Sequence, residues 1–253
     1  MWRRAQDVES KESSIRLKAV GPLWSLIFRE LKIAFWILFP FWAATTFVIT
    51  ATAVDGVSMM PTLRSGEYVW IPKYEIWLHR LGIGAFKRGD IVIFKPPLGA
   101  PNSSYRLFGL WNYRPFFIKR IVAVGGDRVT LDRGQVRVNG QVVFGSISAY
   151  WEEQSCWDRE SSLANFARSD LGGIPIQKEL RVPKGEYFVM GDNRSPGGSE
   201  DSRLFGTVSL NDIFGRAKWA WLPPSANQNR TYACEGHPVA VLGEIKSDLR
   251  VFP

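Results

Sequence analysis

Ser58 is the residue in this sequence best placed to act as a nucleophile. It lies in the stretch GVSMMPTL, residues 56–63, shortly after a long apolar run. A serine needs a base to take its proton, and histidine is the usual one. The chain has only two histidines, His79 and His237, and neither lies in a recognisable catalytic motif. The sequence therefore favours a lysine as the base.

Lys119, sixty-one residues later, is the lysine whose surroundings suit that role. It lies in FFIKRIVAV, residues 116–124, with apolar residues on both sides. Burial among apolar groups lowers the pKa of a lysine from about 10.4 towards 7–8, where a useful fraction is neutral. On composition alone, an outward-facing strand lysine beside Arg120 is the simpler interpretation. The assignment therefore depends on whether the side chain is buried.

A third segment, residues 191–206 (GDNRSPGGSEDSRLFG), is dense in polar groups. Such a segment is usually a solvated loop. It would equally suit a rigid, hydrogen-bonded floor in which Asp–Arg pairs fix the geometry and Ser199 binds a neutral lysine amine. The polar residues of this candidate floor are Asp192, Asn193, Arg194, Asp201, Ser202 and Arg203.

Residues 33–54 predict a transmembrane helix that would hold these groups at a membrane. They are 22 residues without a charge, enough for a helix of about 33 Å. Seven Lys and Arg precede them, so the positive-inside rule predicts a cytoplasmic segment over 1–32 and an extracytoplasmic catalytic domain over 55–253. The alternative is a cleavable signal peptide, but its apolar core would be only about 7–15 residues long.

Composition agrees with a membrane-associated protein. The net charge is +8, and no nucleic-acid-binding motif accompanies it, so an anionic membrane surface is the favoured partner and nucleic acid is not expected. Eleven tryptophans agree, because Trp prefers the membrane–water interface. The two cysteines, Cys156 and Cys234, form neither a zinc site nor a disulfide framework, although they could pair outside the cytoplasm.

The part of the chain beyond the apolar segment reads as strands and turns. Short apolar or alternating runs cover residues 90–95, 116–124, 128–144, 180–190 and 216–222. Asn139-Gly140 predicts a hairpin turn because both residues accept positive φ. Residues 145–179 are polar and have no clear period, which indicates an insertion. The fold class predicted is mainly β: an antiparallel β domain anchored by one N-terminal transmembrane helix.

Two aromatic stretches, residues 74–86 and 107–117, are too apolar for ordinary exposed loops. They could belong to the core of the β domain, or they could dip into the membrane interface. The sequence leaves both interpretations open.

Four short stretches together resemble the successive conserved boxes of type I signal peptidases, the bacterial Ser/Lys-dyad leader peptidases. They are Ser58-Met59-Met60-Pro61-Thr62-Leu63, Lys87-Arg88-Gly89-Asp90-Ile91-Val92, Ile118-Lys119-Arg120 with Gly126-Asp127, and Gly191-Asp192-Asn193-Arg194 with Asp201-Ser202-Arg203 and Gly206. Their order and spacing match the family from residue 33 to about 222. Any one box is a weak signal, whereas four in order behind a membrane helix are specific.

The resemblance implies a serine endopeptidase that removes signal peptides from exported preproteins on the outer face of the inner (cytoplasmic) membrane. Ser58 is then the nucleophile, Lys119 the general base and Ser199 the residue that orients the lysine. The other residues of the floor become structural supports. The implied partners are preprotein signal peptides and the lipid bilayer, with the N-terminus in the cytoplasm. No metal or cofactor is implied.

Gly56 is a departure from the pattern of some bacterial members, which have a serine whose hydroxyl helps to hold the oxyanion. The backbone N–H of Ser58, beside Gly56, is then the expected oxyanion donor. The loss of one such donor can lower the rate by about 10²–10³-fold.

Other functions stay open at this stage. A related Ser/Lys peptidase could serve a specialised substrate, as in conjugation-type pilin or organelle inner-membrane peptidases. A non-catalytic, membrane-anchored β scaffold is an alternative from a different class. A cytosolic self-cleaving repressor would share the dyad but lack the membrane helix.

Overall fold

A computed structural model describes residues 24, 26–107, 110–158, 179–222, 232–234, 237–239 and 249–252. The chain divides into two compact units, Met1–Val48 and Ile49–Pro253. Each unit is described by itself below.

The first unit contains the apolar helix α1, Leu26–Val48, whose last residues, Ala44–Val48, are π-helical. Among the residues described, it is the one helix long and apolar enough to cross a membrane, with 23 residues and a mean hydropathy of 1.6. The helix predicted over 33–54 differs at both ends. The observed helix α1 begins earlier than predicted, and it ends at Val48 because Ile49–Ala53 is a strand. Three of the five residues in that sequence, ITATA, are β-branched, which favours strand over helix.

The described residues of the second unit form strands and three short helices. The strands are β1 Ile49–Ala53, β2 Tyr68–Pro72, β3 Ile91–Phe94, β4 Tyr105–Leu107, β5 Trp111–Tyr113, β6 Phe117–Val124, β7 Arg128–Asp132, β8 Gln135–Val138, β9 Gln141–Val142, β10 Leu180–Arg181, β11 Glu186–Met190, β12 Val208–Ser209, β13 Ile213–Arg216, β14 Trp219–Trp221, β15 Tyr232–Cys234, β16 His237–Val239 and β17 Arg250–Val251. The helices are α2 Lys73–Arg80, α3 Gly145–Glu153 and α4 Ser202–Phe205, with a 3₁₀ turn at Leu210–Asp212.

A five-stranded antiparallel sheet in the order β12-β11-β6-β3-β13 forms the centre of the domain. Its strand β3, IVIF, is buried along its whole length, as expected for an inner strand with both faces covered. Ile91 and Ile93 pack in one apolar cluster, while Val92 and Phe94 pack in another on the opposite face. This alternation gives the sheet two covered faces and holds β6 rigidly between β3 and β11.

Two further four-stranded antiparallel sheets complete the domain. One has the order β1-β2-β14-β17 and the other β10-β7-β8-β9. Among the described residues, β4-β5 and β15-β16 form separate two-stranded hairpins. Asn139 and Gly140 both have positive φ in the tight turn between β8 and β9, as predicted. The mainly antiparallel β fold is therefore confirmed.

The region predicted as an irregular insertion contains a helix. Residues 145–153 form α3, and its Trp151 is fully buried. A short run of aliphatic and aromatic residues lies among the polar residues of this region. It packs in a cluster with Met60 and the disulfide Cys156–Cys234. The predicted insertion also includes residues 159–178, which lie outside the described residues. The pairing of the two cysteines, left open by the sequence, joins the segment just after α3 to β15.

The predicted final strand over 216–222 is also different. It is divided into β13 and β14, which belong to different sheets. Ala217 is buried between them, and the backbone N–H of Lys218 donates to the carbonyl of Trp70. The chain therefore crosses from the central sheet to the β1-β2-β14-β17 sheet at this point.

Candidate active site

Ser58 and Lys119 meet in the second unit. Ser58 lies in the turn after β1, and Lys119 lies on β6, opposite Val92 of β3. The Nζ of Lys119 and the Oγ of Ser58 are 2.7 Å apart, joined by a hydrogen bond. A serine hydroxyl within hydrogen-bonding reach of a lysine amine is the geometry that proton transfer to the lysine requires.

The Lys119 side chain is buried, with 4% of its surface exposed. Burial lowers its pKa from 10.5 to about 8, although the charges of Asp201 and Glu200 oppose the shift. At pH 7 a pKa of about 8 leaves roughly a tenth of the amine neutral, about 300-fold more than an unperturbed lysine. The sequence made the lysine base conditional on burial, and the structure meets that condition.

Asn193 binds the backbone carbonyls of Ser58 and of the residue before it, Val57. Its backbone N–H donates to the carbonyl of Ser58 at 3.0 Å, and its side-chain amide donates to the carbonyl of Val57 at 3.2 Å. The amide oxygen accepts from the Ser195 hydroxyl at 2.5 Å, which fixes the orientation of the Asn193 side chain. The conformation of the nucleophile turn is therefore set by the segment 191–206.

Asp192, the residue before Asn193, is fully buried in an ion pair with Arg120. The guanidinium binds both carboxylate oxygens, at 2.8 and 2.6 Å, and also donates to the carbonyl of Gly89. Trp151 of α3 donates its indole N–H to the backbone carbonyl of Asp192 at 2.7 Å. Arg120 and Trp151 therefore anchor the floor, and they are functional contacts that the sequence interpretation missed.

A second ion pair, Asp201 with Arg203, supports the other end of the floor. Arg203 donates to both oxygens of the fully buried carboxylate, at 2.8 and 2.9 Å, and the backbone N–H of Gly191 donates to it at 2.9 Å. Burial alone would raise the pKa of Asp201, but the charge and hydrogen bonds of Arg203, together with the Gly191 N–H, outweigh burial and hold the pKa below its usual range. The carboxylate thus stays charged and keeps Gly191 in place.

Ser199 lies near the dyad, but the contacts of the described residues include no hydrogen bond from its hydroxyl to the Lys119 amine, so its predicted orienting role stays a prediction. Its hydroxyl is buried, and it lines the same cleft as Ser58 and Lys119. A Cβ added to Gly191 would collide with the Ser199 side chain and with the carbonyl oxygen of Ser58. Only glycine therefore lets these segments approach so closely, a role for Gly191 that the sequence could have suggested only through the Gly-Asp-Asn-Arg motif.

The remaining floor residues form hydrogen bonds with backbone groups. Ser202 accepts a hydrogen bond from the N–H of Val189, on the strand beside β6, at 2.8 Å. Arg194 is 2% exposed and donates through Nε to the carbonyl of Gly191 at 2.8 Å. All six predicted floor residues are therefore brought under or beside the dyad.

Gly56 sits at the rim with φ +95°, a conformation that favours glycine. Its backbone N–H is directed to the Ser65 hydroxyl at 3.4 Å. Among the described residues, the N–H of Ser58 has no hydrogen-bond acceptor. Of the two positions predicted for the oxyanion site, Ser58 therefore has the backbone donor that is free to bind an incoming oxygen.

The cleft that contains Ser58 and Lys119 has a volume of about 660 Å³. Its walls come from β1 and the segments near residues 102, 113–118 and 197–200. Asn102 bridges two of these walls by donating to the Glu200 carboxylate at 2.6 Å. A cleft of this size accommodates a short stretch of extended peptide.

Among the described residues that line this cleft there is no histidine. His79 packs its ring edge-on against Phe86, with centroids 4.4 Å apart. His237 begins β16 and pairs with Cys234. No group of three or more His, Cys, Asp or Glu side chains able to hold a metal ion is found in the described part of the chain.

Comparison with known proteins identifies the class to which this site belongs. Residues 27–222 match the family described as "Signal peptidase, peptidase S26", and the chain belongs to that family. It is a serine endopeptidase of the signal peptidase I class, which removes the basis for a non-catalytic scaffold. The resemblance noted in the sequence is confirmed.

Curated relatives agree. Signal peptidase I of Bacillus caldolyticus is 30% identical over 177 residues, which are 70% of this chain and 81% of the relative. Signal peptidase IB of Staphylococcus aureus strain Mu50 is 28% identical over 194 residues, 77% of this chain and 87% of the relative. A crystal structure of a signal peptidase I from Enterococcus faecalis V583 is 23% identical and covers 53% of this chain and 97% of its own, with a TM-score of 0.37. The description of the fold rests on the strand pairing given above.

Proposed function

We propose that the chain removes N-terminal signal peptides from exported preproteins, with Ser58 as the nucleophile and Lys119 as the general base. The observation that carries this proposal is the 2.7 Å hydrogen bond between the serine hydroxyl and a buried lysine whose pKa is lowered to about 8. Family membership supports the reaction, and the geometry supports the assignment of its residues.

The reaction begins when neutral Lys119 accepts the proton of the Ser58 hydroxyl. The Oγ then forms a bond to the carbonyl carbon of the scissile peptide, and the N–H of Ser58 binds the oxyanion that develops. When the C–N bond breaks, the Lys119 ammonium returns the proton to the leaving amine of the mature protein. The signal peptide is left as an ester on Ser58.

A water molecule completes the cycle. Lys119 takes a proton from this water, the resulting hydroxide attacks the ester, and the proton passes to the departing Ser58 oxygen. The signal peptide leaves as a carboxylic acid. One buried lysine thus serves as base in both half-reactions, and water is the only other reactant.

The helix α1 supports a membrane anchor for the enzyme. We place the segment before α1 in the cytoplasm, the membrane anchor at α1, Leu26–Val48, and the catalytic domain, which begins at Ile49, on the extracytoplasmic side of the inner membrane. A signal peptide is itself inserted in that membrane, so an anchored enzyme meets its substrate at a high effective concentration. The positive charges of the N-terminal segment favour this orientation, because segments rich in Lys and Arg stay on the cytoplasmic side.

The test is cleavage of a reporter preprotein by the purified full-length chain in detergent micelles or liposomes. We expect Ser58→Ala and Lys119→Ala each to abolish cleavage, with the native circular dichroism spectrum retained. Matched controls are Ser146→Ala and Lys184→Ala, both at exposed positions, which we expect to keep full activity. His79→Ala and His237→Ala are expected to keep activity as well. Substantial cleavage by Lys119→Ala would exclude the dyad.

A covalent probe tests the intermediate. A peptide-based acylating inhibitor should add its mass to the peptide that contains Ser58, and only in the enzyme with Lys119 intact. Modification of a different serine would contradict the assignment of the nucleophile.

A further inference from the structure

Helix α2 presents an apolar face to its surroundings. Tyr74, Trp77, Leu78 and Leu81 follow the spacing i, i+3, i+4, i+7, which places them along one side of a helix. Their exposed fractions are 51%, 53%, 39% and 76%, and Ile83 just beyond them is 59% exposed. This is one of the two aromatic stretches whose environment the sequence left open. The core interpretation holds for its Ile76 and Phe86 and not for this face.

The opposite side of α2 is charged and faces the protein. Glu75 binds Arg216 of β13 through both carboxylate oxygens, at 2.8 and 3.0 Å, and Arg216 also binds Asp90 at 3.1 Å. Arg80 donates to the backbone carbonyl of Asn211 at 3.2 Å. A helix on a water-exposed surface normally has its apolar side inward and its charges outward. In α2 the side toward the protein carries the ion-paired Glu75 beside the buried Ile76, whereas the side away from the protein is apolar as well.

Strand register places α2 next to the point where the chain leaves the apolar helix α1. Ile49, the residue after Val48, pairs with Pro72, and α2 begins at Lys73. Paired residues lie about 5 Å apart. The apolar face extends about 10 Å further along α2, from Tyr74 to Leu81, at 1.5 Å per residue. This proximity follows from the covalent chain and the pairing of β1 with β2 alone.

We propose that α2 lies in the interface of the lipid bilayer, with Tyr74, Trp77, Leu78 and Leu81 between the headgroups and the upper acyl chains. This proposal rests on the membrane anchorage by α1 proposed above. Lipid suits the face because tyrosine and tryptophan prefer the membrane interface and leucine side chains enter the acyl region.

The register of α2 beside Ile49, the first residue after the apolar helix, favours lipid over a protein partner. A chain that has just left a bilayer core still lies at the headgroup level, so an apolar face beside it contacts lipid without any further partner. The consequence for function is a second attachment of the catalytic domain to the membrane. Such an attachment limits the tumbling of the domain about its covalent link and keeps the cleft at a constant depth for inserted substrates.

The test measures the depth of α2 residues in liposomes of phosphatidylcholine and phosphatidylglycerol. The native cysteines are paired in a disulfide, so a single introduced cysteine can be spin-labelled in the full-length chain. Labels at Leu78→Cys and Leu81→Cys are compared with a label at Val142→Cys. Val142 is an exposed apolar position on β9, in the β10-β7-β8-β9 sheet. Power-saturation EPR then compares the accessibility of each label to oxygen and to a water-soluble nickel chelate.

We expect the two α2 labels to be more accessible to oxygen than to nickel, as in lipid, and the Val142 label to show the reverse. Labels in water at both α2 positions, in a protein that resists carbonate extraction, would overturn the α2 proposal and leave the anchor intact. Extraction of the whole chain by carbonate would overturn both. Dipolar broadening between α2 labels would identify a second copy of the chain as the occupant and exclude lipid.

A cleavage assay gives a readout that a purely structural defect would not produce. The double variant Leu78→Gln, Leu81→Gln is expected to cleave a membrane-inserted preprotein about tenfold more slowly, the effect of losing some burial of two leucines. Cleavage of a short water-soluble peptide should be unchanged, because neither residue is among those that line the cleft. Equal losses on both substrates would contradict a lipid role.

Discussion

Replacing Lys119 with methionine is expected to abolish activity and, at neutral pH, to stabilise the β domain. Burial lowers the pKa of Lys119 from 10.5 to about 8. At about 1.4 kcal/mol per pH unit, keeping the charged lysine in its native position costs the folded state roughly 3 kcal/mol. Methionine has a similar length, carries no charge and avoids this cost. The lost hydrogen bond to Ser58 offsets only about 1 kcal/mol.

The pH dependence gives the sign of the effect. Between pH 8 and 10.5 the unfolded chain keeps its lysine proton, whereas the folded chain has lost it. The free energy of unfolding therefore rises with pH through this window, relative to a variant that lacks the lysine. Below pH 8 the whole cost is present, and it disappears as the pH approaches 10.5. The advantage of Lys119→Met is thus largest at neutral pH and falls by roughly 3 kcal/mol by pH 10.5.

Urea unfolding measures this difference, with tryptophan fluorescence as the signal and the full-length chain in detergent micelles. The parent and Lys119→Met are unfolded at several pH values from 7 to 10.5. Lys184→Met is the matched control, because that side chain is exposed and is in water in both states. A difference between parent and Lys119→Met that is constant over this pH range would refute the buried, pKa-lowered lysine.

The same pKa sets the pH profile of catalysis. Since only the neutral amine accepts the Ser58 proton, kcat/KM of the parent should rise with pH and reach half its limiting value near pH 8. An unperturbed lysine would place that midpoint near 10.5. Agreement between the kinetic midpoint and the start of the stability slope would tie both effects to one residue.

Three further substitutions test the supports of the site by urea unfolding and by cleavage of the reporter preprotein. Arg250→Ala leaves the fully buried carboxylate of Glu67 without its guanidinium partner, so we expect a loss of about 2–4 kcal/mol in unfolding free energy, partly restored by Glu67→Gln. Gly191→Ala drives a methyl group against the Ser58 carbonyl; we expect a loss of about 1–3 kcal/mol and a marked fall in cleavage, whereas wild-type activity would refute the close approach. Trp151→Phe removes a hydrogen bond to a buried carbonyl at a cost of about 1–3 kcal/mol, and an unchanged unfolding midpoint would count against it.

Local patterns in the sequence predicted part of the strands, among them β3, β6, β7, β8 and β11, and proposed the candidate residues of the site. Lys119 was placed on a strand because FFIKRIVAV is rich in β-branched and aromatic residues, and the hairpin at Asn139-Gly140 follows from two residues that tolerate positive φ. The sequence also indicated that residues 191–206 could form a floor. The structure brings these groups together, and their roles in catalysis stay a prediction.

Contacts between distant parts of the chain had no local signature. Arg250 binds Glu67 across 183 residues and the carbonyl of Thr62 at 2.5 Å, and no periodicity connects those positions. Trp151 was hidden in a segment whose polar neighbours suggested a loop. The sequence predicted the end of the membrane helix six residues too late. The apolar run that indicates the helix continues into β1, a strand that is also apolar and β-branched. Hydropathy alone does not separate these two states.

The acidic groups of the floor and the lysine base make opposing demands on the same small volume. Asp201 is needed to hold Gly191, but its negative charge favours the protonated form of Lys119 and so acts against catalysis. Arg203 resolves the conflict, because its guanidinium binds both carboxylate oxygens and its own charge lowers the pKa of Lys119. Burial then dominates, and the lysine pKa falls to about 8. The Asp201–Arg203 pair therefore influences the pKa of Lys119, the proposed base, as well as supporting the backbone.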